Sequence, residues 1–294
     1  SLDEDDDGLP DECLPLPEVL YVNAHAVDGG RGLSWADAFR DMESALEAAR
    51  ARVGAREIWV AAGVYNPSFR TDPTDPRSAT FQLVNNVAIY GGFSGEESEI
   101  GQRDPQINRT ILSGQVNSED GSSRKNSYHV VSSVGNDPSA VLDGFTITGG
   151  RADGPSAIDR CGGGILLSQH TRATIANCTI THNYARNGGG LACLEQATPS
   201  ISNTLITRNR ATGRGGGIYA RNASPRIKNS RIEGNEGRIG GGISCIAGAH
   251  ATIQDCLIGG NQAKSGGGGI AVSGSHPALH ACFISGNMAG QGGG

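Results

Sequence analysis

The chain has 294 residues, enough for one large domain or two ordinary ones. It contains 45 glycines but no Gly-X-Y period, which excludes a collagen-like rod; with 37% hydrophobic and 5% aromatic residues it is too lean for a thick globular core and better suited to a thin apolar column. The net charge of −6 hides an asymmetry: residues 1–161 hold 13 basic and 26 acidic residues, whereas residues 162–294 hold 11 and 4. A basic second half favours an anionic partner there, against the plainer alternative of a solvated arginine coat. No run approaches the roughly 18 apolar residues of a membrane span, and the opening Ser1-Leu2-Asp3 is no basic-apolar leader. The chain reads as a piece of a longer protein, ending inside a repeat at Gly292-Gly293-Gly294.

In chain order, residues 1–13 form an acidic linker in which Asp3, Asp5 and Asp7 alternate before Gly8, followed by Asp11 and Glu12. Alternating carboxylates before a glycine are what an oxygen-liganded calcium loop needs, so these five residues are metal candidates; a plain acidic linker is the alternative. Residues 14–56 hold a linker, a short strand at Val19-Leu20-Tyr21-Val22 and an amphipathic helix. Ser34 is its expected N-cap, and Trp35, Phe39, Met42, Leu46 and Ala49 recur at helical spacing through Arg52. Such a helix suits the end cap of a solenoid. Residues 57–160 carry apolar runs at 58–62, 87–90, 110–112 and 129–131, separated by long polar connections that fit irregular coils with loop insertions.

Residues 161–294 are regular. Asn183, Asn209, Asn235, Asn261 and Asn287 recur every 26 residues, as do Ile180, Ile206, Ile232, Ile258 and Ile284. Each unit opens with a glycine triplet before Ile165, Leu191, Ile218, Ile243 or Ile270, at spacings of 26, 27, 25 and 27, and the length changes are expected in turns. A 26-residue unit of three short strands cannot bury its apolar face alone, but stacked units can. The predicted fold is therefore all-β: a parallel β-helix with an N-terminal capping helix. The columns Cys178, Thr204, Ser230, Cys256, Cys282 and Leu167, Cys193, Ala220, Cys245, Val272 should face inward, which explains five of the seven cysteines as small core residues; Cys256 and Cys282, on neighbouring coils, leave a disulfide open but do not require one. Asn177, Asn203, Asn229 and Asp255 also keep the period; they are expected at left-handed bends and, stacked, as an asparagine ladder.

These features resemble the right-handed parallel β-helix proteins of the pectate-lyase-like superfamily, and more narrowly the secreted or surface β-helix proteins of bacteria, polymorphic outer-membrane protein-like ones included. The residues that carry the resemblance are Ser34-Trp35-Ala36-Asp37-Ala38-Phe39, Ile58 to Tyr65, Val87 to Phe93, Leu142 to Ile147 and the GGGI repeats. Residues 1–13 resemble one thrombospondin type 3-like calcium repeat. The resemblance implies a bacterial extracellular or cell-surface module, structural, adhesive or carbohydrate-binding, with a polysaccharide lyase or glycoside hydrolase acting on an acidic polysaccharide as the alternative.

A lyase or hydrolase needs clustered carboxylates, but the regular coils offer only Glu195, Glu233, Glu236 and Asp255. The catalytic candidates are therefore Asp143, Asp153, Asp159 and Arg160, before the first glycine triplet. Ligand-binding candidates are the basic residues of the array: Arg186, Arg208, Arg210, Arg214, Arg238 and Lys264. Of these, Arg186, Arg238 and Lys264 follow the repeating asparagine at one offset. An acidic polysaccharide or cell-surface glycan is the expected partner. Specific nucleic-acid binding is not, because no aromatic stacking platform accompanies the charge. The histidines show no zinc spacing, no cofactor is required, and a monomer is expected.

Overall fold

The computed structural model describes residues 18–51, 54, 56–116 and 125–290. The metal candidates Asp3, Asp5, Asp7, Asp11 and Glu12 lie outside the described residues.

Four sheets build one solenoid, with nine, eight, seven and six strands, the six-stranded one starting only at Arg151, and every pairing between strands is parallel. One regular coil passes through all four. It enters the seven-stranded sheet at Ile165–Ser168, turns into the nine-stranded sheet at Thr174–Ala176 and the eight-stranded sheet at Thr179–Thr181, then crosses the six-stranded sheet at Tyr184–Asn187. Register is held between coils: Ile180 pairs with Ile206, Ile206 with Ile232, and Ile232 with Ile258. Leu167, Cys193, Ala220, Cys245 and Val272 pair in one column.

Alternation along each short strand sends every second side chain inward. Ile180, Ile206, Ile232 and Ile258 are fully buried, and Cys178, Thr204, Ser230 and Cys256 line the neighbouring inward column. Cys161, Cys178, Cys193, Cys245, Cys256 and Cys282 are all free thiols. The last coil lacks a successor among the described residues, and its outer and inner apolar side chains are open: Phe283 is 66% and Ile284 47% exposed.

The helix α1 spans Met42–Ala51 and begins eight residues after the predicted N-cap. The segment before it is held extended, because the Phe39 N–H donates to Tyr21 O and Phe39 O accepts from the Asn23 N–H. Ser34 instead closes a local turn on the Asp37 N–H, and Asp41 caps the helix by accepting from the Ser44 N–H at 2.9 Å. Met42, Ala45 and Leu46 join Leu20 and Val22 in the core, so the helix covers the first strand of the column as an end cap does. Trp35 stays outside and packs edge-on against Tyr21, beside the Trp59–Phe93 stack.

The asparagine ladder stands in a different column from the one expected. Asn177, Asn203, Asn229 and Asp255 do adopt left-handed backbone, with φ between 49° and 53°, but they are exposed. The buried ladder is Asn183, Asn209, Asn235 and Asn261, each at most 2% exposed. The Asn209 side-chain amide donates to Ile180 O at 2.8 Å and to Asn235 Oδ1 at 3.1 Å, and its Oδ1 accepts from the Asn183 N–H and Nδ2. The same bonds recur from Asn235 to Asn261 and from Asn261 to Asn287. A buried primary amide needs four partners, and an identical amide one coil away supplies them.

The first 27-residue spacing also differs from expectation. Its extra residue lies within a strand as a bulge: Ala185 pairs with Ala211, but Asn187 pairs with Arg214. The glycine triplets that follow have a steric cause. A Cβ on Gly216 would lie 2.4 Å from both Glu236 O and Gly241 O, so the corner closes only without a side chain.

Candidate anion-binding groove

At the corner where the six-stranded sheet turns through the glycines into the seven-stranded sheet, successive coils stack Cys161, Asn187, Arg214 and Ile239 as partners. The bulge before Arg214 shifts that side chain to the corner, in line with these neighbours. Next to it the outer face of the seven-stranded sheet carries an apolar cluster of Cys161, Leu166, Ala192, Leu194 and Tyr219, against which Ile158 and Ile246 pack. The short 3-10 turn Ile158–Arg160 brings Ile158 and Arg160 over this sheet.

The result is a groove of about 510 Å³ whose lining includes Arg160, Arg186, Arg214, Arg221 and Arg238, with Tyr219, Cys161 and Ile246 beneath them. No Asp or Glu is among its lining residues. An adjoining groove of about 210 Å³ shares Arg238 and adds Arg210 and Lys264, but also Glu236, which sits 3.8 Å from Arg210. Together they follow the outer surface across five successive coils, from Cys161 to Lys264.

Most other arginines are neutralised. Arg31, Arg40, Arg50, Arg56, Arg77, Arg103, Arg151, Arg210 and Arg231 each have a carboxylate within ion-pair distance. Among the described residues none of Arg160, Arg186, Arg214, Arg221 and Arg238 has one. Arg160 is steadied by the Gly154 carbonyl, which accepts from its Nε at 2.9 Å. A larger cavity of about 840 Å³ beside α1 is lined by Arg50 and Arg56, both already paired, with Glu43 and Glu18.

The groove offers little that could act as a base or nucleophile. Burial pushes the Tyr219 hydroxyl up, and the charges of Arg221 and Arg214 pull it back only in part. Burial likewise raises the Cys161 thiol, against a hydrogen bond from Asn187 and the charges of Arg221 and Arg186. Both therefore stay protonated at neutral pH, and a protonated thiol is a poor nucleophile. What the guanidiniums supply is forked donors for anionic oxygens over an apolar floor.

The structure divides the sequence candidates. Arg186, Arg214 and Arg238 line the main groove, Arg210 and Lys264 the adjoining one, and Arg208 sits apart at a left-handed bend with φ 54°. Arg160, a catalytic candidate by sequence, lines the main groove beside Arg186, Arg214 and Arg238. Arg221 completes the set; its membership shows only once the seven-stranded sheet is placed beside the six-stranded one. The acidic candidates are dispersed and tied. Asp143, buried at the end of the strand Val141–Asp143 inside the nine-stranded sheet, accepts from Arg103 Nη2 at 2.7 Å and Asn177 Nδ2 at 2.8 Å. Asp153 lies between Arg77 and Arg151, at 2.5 and 2.7 Å, and Asp159 bonds to Ser156 in its own loop. Among the described residues no three His, Cys, Asp or Glu side chains gather as a metal site would require, and no helix is long and apolar enough to cross a membrane.

No curated protein matches the sequence. Among solved structures the chain is similar to the pectate lyase Pel9A, at 12% identity over 95% of this chain and 79% of that one, with a TM-score of 0.46. It is also similar to the pectin methylesterase from Aspergillus niger, at 15% identity over 92% and 85%, with a TM-score of 0.40. The family model described as "Right handed beta helix region" matches residues 131–293, more than half of the chain. With the parallel sheets, the 26-residue coils and the buried asparagine ladder, this match establishes that the chain belongs to the right-handed β-helix family.

Proposed function

We propose that the chain is an extracellular or cell-surface module that holds acidic glycans without turning them over. One observation carries this reading: five guanidiniums line a groove with no carboxylate among its lining residues, while nine arginines elsewhere are paired with carboxylates. Like charges gathered on neighbouring coils repel one another, and an anionic ligand relieves that repulsion. The acidic stretch from Asp3 to Glu12 is, in the same reading, a separate calcium-holding linker. The test is incubation with a panel of acidic polysaccharides, with and without calcium. Retention on an immobilised acidic glycan, with no ultraviolet-absorbing unsaturated product and no new reducing ends, is the expected result. Accumulation of either product would overturn the binding-only reading.

A further inference from the structure

We infer that the groove is built for sulfate esters, and that it holds a sulfated glycan directly, with no bridging metal ion. The inference rests on the glycan-binding reading above and narrows it.

The first argument concerns who neutralises the ligand. A carboxylated glycan bound through a divalent cation needs acidic side chains to hold the cation, since hard cations take oxygen ligands. The groove's lining residues include five arginines and no acid, so a cation there would be repelled rather than held. The second argument concerns acceptor number. Arg186, Arg214 and Arg238 come from three successive coils, whose strands are spaced by about 4.8 Å, while Arg160 and Arg221 approach from the overlying turn and the adjacent sheet. Guanidiniums converging from several directions are best matched by a group with three terminal oxygens, each able to accept from a different fork. A carboxylate offers two oxygens whose lone pairs lie in one plane, so it favours forks that approach near that plane. Weak hydration of guanidinium points the same way, because a sulfate ester is itself weakly hydrated and stays ionised at any working pH. The floor adds selectivity. Tyr219 is only 4% exposed, so it presents an apolar base but no free ring face on which a nucleobase could stack.

The experiment compares three ligands on one backbone: dextran sulfate, carboxymethyl dextran of equal charge density, and unmodified dextran. Binding to the whole chain is measured by titration calorimetry in EDTA and again in calcium. Dextran sulfate should bind at least tenfold more tightly than carboxymethyl dextran, with the same affinity in EDTA, and unmodified dextran should not bind. Arg214→Ala and Arg238→Ala should each weaken dextran sulfate about tenfold, the worth of one lost charge-assisted contact. Arg226→Ala, on the outer face of the nine-stranded sheet, should leave affinity unchanged. Unaltered circular dichroism and thermal midpoint would show that each variant is folded. Equal or tighter binding of carboxymethyl dextran, loss of binding in EDTA, or equal effects of Arg226→Ala and Arg214→Ala would overturn the sulfate assignment while leaving glycan binding intact. Failure of both charged dextrans and of every other acidic glycan would instead bring down the function it rests on. Duplex DNA binding as tightly as dextran sulfate would also overturn it.

Discussion

Replacing Asn209 by alanine removes one link from the middle of the buried ladder. Four hydrogen bonds end on that side-chain amide: its Oδ1 accepts from the Asn183 N–H at 3.0 Å and Nδ2 at 3.1 Å, and its Nδ2 donates to Ile180 O at 2.8 Å and Asn235 Oδ1 at 3.1 Å. Asn183 Nδ2 keeps Ile147 O and Thr181 O, but the Asn183 N–H loses its side-chain acceptor in a buried site. At about 1 kcal/mol per net hydrogen bond the substitution should cost roughly 4 kcal/mol. Asn203→Ala is the matched control one bend away. Asn203 is exposed and left-handed at φ 49°, so alanine there loses only conformational preference, about 1 kcal/mol, and glycine should lose nothing. Urea unfolding should be followed by far-ultraviolet circular dichroism and by tryptophan fluorescence together. The two tryptophans, Trp35 and Trp59, report only the first coils, so a broken ladder that unzips later coils shows in dichroism at lower urea than in fluorescence. A loss below about 1 kcal/mol for Asn209→Ala, or equal losses for Asn203→Ala, would refute the assignment of the ladder to this column.

Three further outcomes are expected. Gly216→Ala should cost roughly 1–3 kcal/mol by overpacking, since the new Cβ meets two backbone oxygens, whereas Gly101→Ala, with open space around it, should be near neutral in the same urea titration. Burial raises the Glu43 carboxyl despite its 2.6 Å pair with Arg50, and one of its oxygens has no partner. A carboxyl raised in the folded state binds its proton more tightly there than in the unfolded chain, so stability falls as pH rises from the usual carboxylate value through the raised one. Glu43→Gln should therefore stabilise the chain at pH 7 and make no difference below that window, as thermal melts across pH would show. Arg103→Ala and Asp143→Asn each break a largely buried pair and should each cost about 3 kcal/mol, with the double variant costing clearly less than the sum. Strict additivity in that cycle would show that the pair contributes nothing to the fold.

Much of the fold could be read from periodicity alone, because a buried column repeats its residue type at the coil length. The isoleucine and cysteine columns follow that rule, and the structure seats them inward. Two asparagine columns kept the same period, and period alone did not separate them. The distinguishing signal was tolerance: the position of Asn183 is asparagine in all five coils, while the position of Asn177 also accepts Asp255 and Ala281. A buried amide pair tolerates no substitute, whereas an exposed left-handed bend accepts several residues. The start of α1 was obscured because Trp35 and Phe39 keep helical spacing by chance; Phe39 is held by backbone bonds to Tyr21 and Asn23, which local sequence does not encode. The groove was only partly visible. Arg186, Arg214 and Arg238 could be grouped along the array, but Arg160 and Arg221 join them through the fold of a corner between two sheets.

The asparagine ladder also bears on how such a solenoid changes length over generations. Every link presents its neighbour with the same donors on one side and the same acceptors on the other. Removal of residues 209–234 would leave the donors of Asn183 facing the acceptors of Asn235, and the glycine triplet would follow Asn235 at the same distance as it follows Asn183. Gene duplication or unequal recombination of one whole unit therefore adds or deletes a coil without inventing a new interface. Selection can tune the number of arginine-bearing coils, and with it the reach of the groove, while the fold itself stays neutral to the change.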